Sequence, residues 1–213
     1  MKARKILVSL AALALVAAIS IGGTIAYLTS NDEVVNTFTV GNVAIKLDEA
    51  KANTDGTLVP NADRVKGNDY KLLPGHTYNK DPMVTVLSGS EASYIKMTVT
   101  FSKANELDTI FAPTGAELTS IFNGYDAANW TYKGNTKDAT ANTRTYEFWY
   151  KETVAAPNGD VALDALFDSI TVPGTITNDQ LKTIEGMTIT VNAYAIQADG
   201  FANADAAWTA YNG

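Results

Sequence analysis

"YIKMTVTF", residues Tyr94–Phe101, alternates without a break. Ile95, Met97, Val99 and Phe101 are apolar, and Tyr94, Lys96, Thr98 and Thr100 between them are polar or amphipathic. Successive side chains of a strand point to opposite faces, so this period of two describes a half-buried β-strand. The same period recurs on both sides of it. Val84 and Val86, with Leu87, form a short strand before it. Asn129–Lys133 and Thr143–Lys151 form a hairpin around the polar "GNTKDATAN", with Tyr146, Phe148 and Tyr150 facing one way. Ser169–Val172 is short and stopped by Pro173-Gly174, and Met187, Ile189, Val191, Ala193 and Ala195 mark a long last strand. Leu47–Lys71 is a polar loop, and Pro74-Gly75 a turn.

Helical period is confined to three places. Lys103–Phe122 contains two short helical turns in an inserted connection, Asn178–Ile184 is one turn capped by Asn178, and Phe201, Ala204, Trp208 and Tyr211 share one helical face at the tail. Short alternating strands joined by Gly, Pro and Asn turns predict an all-β protein: an antiparallel, jelly-roll-like β-sandwich with short helical insertions and a short C-terminal helix. No repeat or linker divides residues 27–213, which are expected to form one domain.

The first 26 residues have another character. Lys2, Arg4 and Lys5 precede the uncharged run "ILVSLAALALVAAISI" (Ile6–Ile21), and Gly22-Gly23 ends it. Thr24 and Ala26 then place small residues two apart, the pattern of a signal-peptide cleavage site before Tyr27. No charge follows until Asp32, so Ile6–Leu28 also has the length of an N-terminal membrane anchor. On either reading the basic end stays inside and the remainder is exported. Past Ala26, Leu28, Val34, Phe38 and Val40 share one parity, as in a strand. At Gly41-Asn42 the parity switches to Val43, Ile45 and Leu47, which predicts a bulge or tight bend.

Charge and chemistry narrow the function. Removal of residues 1–26, with three bases and no acid, takes the net charge from −7 to −10. So acidic a chain has nothing to neutralise nucleic-acid phosphates and is repelled by anionic lipid. There is no cysteine, which excludes disulfides and thiolate chemistry. The single histidine, His76, lies in the turn "PGHTYNK", with no His-Glu-x-x-His and no Gly-x-Ser-x-Gly elbow. The carboxylate pairs Asp48/Glu49 and Asp199/Asp205 read as solvated surface. "NTDGT" (Asn53–Thr57) lacks the acid spacing of a calcium loop. Trp130 and Trp149 are expected to pack rather than to stack on sugars. No catalytic, metal or cofactor site is assigned.

The export signal followed by "AYLTSND" and "NTFTVGNVAIKL" resembles the start of the TasA/camelysin family of secreted Gram-positive proteins. "LLPGHTYNKDPMVTVLSGSEASYIKMTVTF" (Leu72–Phe101) and "GMTITVNAYAIQADGFANADAAWTAY" (Gly186–Tyr211) are similar to it as well, whereas residues 103–165 match nothing. The resemblance implies a jelly-roll sandwich, processing by a SipW-type signal peptidase, and a structural role in extracellular biofilm-matrix fibres. On that reading the chain's partner is itself. Cleavage frees the segment from Tyr27, with Leu28, Val34, Phe38 and Val40 on one face, to add as a strand to the open sheet of another copy. The membrane is then a partner only before cleavage, and the product is secreted to the matrix or cell surface. A cell-surface metallopeptidase, a label some camelysin relatives carry, and an adhesin for carbohydrate or host protein stay open as alternatives.

Overall fold

Strands account for most of the regular structure, and every strand pairing is antiparallel. The computed structural model describes residues 41–111 and 121–212. Thr24, Ala26, Tyr27, Leu28, Val34, Phe38 and Val40 lie outside the described residues, as does part of the 103–122 insertion. Gly41–Gly213 forms one compact unit. The protein is thus all-β, with three short helices among the described residues.

The strands are β1 (Ile45–Asp48), β2 (Thr77–Asn79), β3 (Met83–Val86), β4 (Ser90–Ser102), β5 (Trp130–Asp138), β6 (Thr143–Tyr150), β7 (Val154–Ala156), β8 (Val161–Ala162), β9 (Ser169–Thr171) and β10 (Ile189–Gln197). The helices are α1 (Ala104–Phe111), α2 (Asn178–Thr183) and α3 (Ala204–Asn212). One sheet has the order β1-β3-β8, a second β10-β4-β6-β5 with β7 on the start of β4, and the third is the β2-β9 pair.

β4 is the strand around which the largest sheet is built. Ile95, Met97 and Val99 are completely buried and Phe101 nearly so, which is the face the alternation predicts. Tyr146 and Phe148 of β6 lie opposite Val99 and Met97 and continue that face. Phe122 sits among Phe101, Tyr146, Phe148 and Phe167, with ring centroids 4.7–5.8 Å away in tilted and edge-on geometries. Gly124 is required nearby. Its φ is +71°, and a Cβ there would stand 2.0 Å from Asp168 Oδ2.

Several expectations need correction. β5 runs through the polar "GNTKD" to Asp138, so the hairpin turn is shorter than the sequence suggests. Pairing with β6 holds those residues extended, and the bulge at Gly134 absorbs the change of register. α2 is capped by Thr177, not Asn178. The Thr177 hydroxyl accepts from Gln180 N (3.2 Å), and Thr177 N donates to Gln180 Oε1 (2.9 Å), the reciprocal pairing of a capping box. At the tail, Phe201 precedes α3 instead of joining its face. Trp208 is buried but Tyr211 is half exposed. β2, β7 and β8 were not foreseen at all. Each is two or three residues long, too short to display a period.

Candidate functional site

Among the described residues β10 is paired along one side only. Its nine residues match β4 in unbroken register from Ile189 opposite Phe101 to Gln197 opposite Ser93. Its other side has no strand partner among the described residues. At about 3.3 Å per residue this leaves an edge of ~30 Å with backbone N–H and C=O groups turned outward.

Two features separate this edge from the one at the far side of the same sheet. β5 carries Lys133, Lys137 and Asp138 and is kinked by the Gly134 bulge, devices that discourage strand addition. β10 reads "ITVNAYAIQ", with no charge, no proline and no glycine. The second feature is burial. Ile189, Val191, Ala193 and Ala195 face the core beside Phe101, Val99, Met97 and Ile95, yet all four remain only partly buried while Val99, Met97 and Ile95 are fully covered. Among the described residues the core is therefore less completely covered along β10 than along β4.

The chain enters this unit close to one end of that edge. Asn42 O accepts from Glu91 N (2.9 Å), Ala44 O from Leu87 N (2.9 Å), and Ala44 N donates to Ser90 Oγ (3.1 Å). Ala198 N donates to Ala92 O (2.7 Å), so the start of β4 meets the end of β10 at this point. Asn42 and Ala44 thus lie near the Gln197 end of β10.

The other residues singled out in the sequence do not assemble into a reactive centre. His76 is exposed in its turn. Asp199 and Asp205 are solvated, and Asp205 reaches Lys133 at 3.4 Å. Trp130 is core, its indole N–H donating to Asp164 O (3.2 Å), and Trp149 lies beneath the Lys133 ammonium at 3.9 Å. Among the described residues no three His, Asp or Glu side chains gather as metal ligands. "NTDGT" is a tight turn: Asp55 Oδ1 accepts from Thr57 N (2.9 Å), and Gly56, at φ +89°, rests on Tyr78.

Asp48 and Glu49 are the exception, and the reading of them as solvated surface is wrong. Both are buried. Arg64 donates from Nε to Asp48 Oδ1 (2.6 Å), from Nη1 to Asp81 Oδ2 (2.8 Å) and from Nη2 to Asp81 O (2.7 Å), and Lys46 stands 2.6 Å from Asp48 Oδ2. Glu49 pairs with Lys80 at 2.6 Å. Apart from Lys46 on β1 itself, their partners arrive from the loop after β1 and from the β2–β3 connection, so the residues beside Asp48-Glu49 in the sequence do not signal burial.

Burial by itself raises the Asp48 carboxyl, but the hydrogen bonds and charges of Lys46 and Arg64 outweigh it and hold the group below the usual carboxylate range. Asp108 of α1 behaves alike: burial raises it, and Lys137 and Arg144 (both 2.7 Å) bring it down further. A carboxyl depressed by folding stabilises above its unfolded pKa and loses that contribution as pH falls through the folded value. Melting temperature should therefore be flat from neutral pH to about pH 5 and drop below about pH 4. Asp48→Asn should lower it at neutral pH and flatten the acid slope. An unchanged acid limb in that variant contradicts the assignment.

No protein-family model matches the chain, and neither a curated protein nor a solved structure matches it.

Proposed function

We propose that this chain is an exported structural subunit that polymerises by strand addition into extracellular matrix fibres. Residues 27–40 of one copy lie along β10 of the next. The observation that carries the reading is the partly buried apolar row Ile189, Val191, Ala193 and Ala195 on an unguarded edge. A donor strand with Leu28, Val34, Phe38 and Val40 on one face offers backbone groups to the edge and apolar side chains to the row. The sheets fold as a jelly-roll sandwich on this reading, in keeping with the resemblance to the TasA/camelysin family.

Export couples to assembly. While residues 1–26 are attached, the donor segment is tethered at the membrane. Cleavage between Ala26 and Tyr27 by a SipW-type peptidase releases it. The secreted chain should thus begin at Tyr27 by intact mass and form fibres in negative stain. Ala26→Asp should block processing, since a charge does not fit a pocket for small residues. Released protein that retains residues 1–26, or a processed chain that stays monomeric at high concentration, contradicts the proposal.

A further inference from the structure

Glu49 sits between an amine and an amide. Its Oε2 accepts from the Lys80 ammonium at 2.6 Å and its Oε1 from Asn68 Nδ2 at 2.9 Å. The Glu49 and Lys80 side chains are 5% and 10% exposed, so the ion pair is largely shielded from water, while Asn68 is half-buried beside it. The amide orientation is fixed by its neighbours: Ala52 N donates to Asn68 Oδ1 (2.8 Å), and Nδ2 also donates to Ala50 O (2.9 Å). Asn68 and Lys80 share the wall of a cavity of about 840 Å³, together with Tyr70 and Tyr78, whose rings pack edge to face at 5.4 Å.

We infer that this triad forms an intramolecular isopeptide bond between Lys80 Nζ and Asn68 Cγ, with Glu49 as the proton carrier. The Glu49 carboxylate holds the amine on one oxygen and the amide on the other, which gathers the two reacting groups about one proton carrier. Glu49 Oε2 takes one proton from the ammonium, and the freed Nζ lone pair attacks Cγ. Charge developing on Oδ1 is met by the Ala52 N–H. Protonated Glu49 delivers its proton to Nδ2 and removes a second from Nζ. The Cγ–Nδ2 bond then breaks, ammonia leaves through the cavity, and a neutral secondary amide remains beside a protonated Glu49. No oxidant, metal or second substrate is consumed.

The bond answers a need of this chain. An exported protein without cysteine has no disulfide with which to tie down its loops. Residues 49–76, between β1 and β2, form the longest loop among the described residues, held by the isolated bridges Glu49–Val65 and Ala52–Leu58. A covalent link from Asn68 to Lys80 fastens that loop to the β2–β3 connection. The inference concerns the folded unit alone and is independent of fibre formation.

Mass spectrometry of the folded, secreted chain tests it. The wild type should be lighter than its sequence by one ammonia, about 17 Da. Trypsin should fail to cut at Lys80 and should yield a branched peptide joining residues 67–71 to 72–96. Lys80→Arg, which keeps the charge beside Glu49, and Glu49→Gln should both run at full sequence mass and give linear peptides. Wild-type protein at full sequence mass overturns the inference. So does an ammonia loss without the branched peptide, which is succinimide formation at an asparagine. Branched peptide persisting in Glu49→Gln removes Glu49 from the role given to it.

Discussion

Deletion of residues 27–36 should leave a folded, soluble monomer that cannot polymerise. Gly41–Gly213 is a compact unit with the cluster from Tyr78 to Ile184 as its described core, so it should keep its cooperative melting transition when the donor segment is lost. What should disappear is the strand proposed to cover β10 of the next copy. The acceptor side should fail with equal severity. In Ala193→Lys the aliphatic stem can follow the partly buried row while the ammonium reaches solvent past the open edge, so the monomer survives. An arriving strand would then bury that charge without a partner, at a cost of several kcal/mol, and the concentration needed for assembly should rise at least about 100-fold. Light scattering and negative stain of the two variants, beside their melting curves, report both halves of the expectation. A deletion variant that no longer melts cooperatively would mean that the segment belongs to its own sheet.

The second large effect is in the monomer. Trp208→Ala should destabilise it by about 3–5 kcal/mol in urea unfolding. The indole is 1% exposed, packs against Trp149 and Tyr211 at 6.2 and 5.7 Å, and carries the Lys96 ammonium over its face at 4.6 Å. Lys96 itself is buried, with Glu147 at 3.8 Å as its only carboxylate within salt-bridge range among the described residues. Loss of the ring opens a cavity and strips that ammonium of its best neighbour. The Trp208 N–H has no partner among the described residues, so Trp208→Phe should recover much of the loss. A Trp208→Ala protein that unfolds at the wild-type urea concentration rejects this account of the tail.

Lys96 also shows where sequence reading stops. Alternation in Tyr94–Phe101 identified four core positions correctly, because one strand's period is a local property. It placed Lys96 on the opposite face, which is also correct. That this face is covered by Tyr194 of β10 and by Trp208 and Tyr211 of α3 depends on elements about a hundred residues away folding back onto β4, and no local pattern encodes it. Asp48 and Glu49 were misread for the same reason. Two adjacent acids look solvated until Arg64, Asn68, Lys80 and Asp81 are brought to them. The Thr177-x-x-Gln180 box, by contrast, was legible, and choosing Asn178 overlooked the reciprocal partner three residues on. β10 was visible as a strand, but its position at the edge follows only from the order of strands in the sheet.

Strand addition at β10 is the central claim, and a cryo-electron microscopy reconstruction of fibres grown from the secreted chain tests it most directly. The account predicts that the outer side of Ile189–Gln197 is occupied by an extended segment traced to residues 27–40 of the adjacent subunit, with Val34 and Phe38 alongside the row Ile189, Val191, Ala193 and Ala195. A reconstruction in which that segment lies on its own subunit's β10, or in which neighbouring subunits meet through other surfaces while β10 stays uncovered, contradicts it.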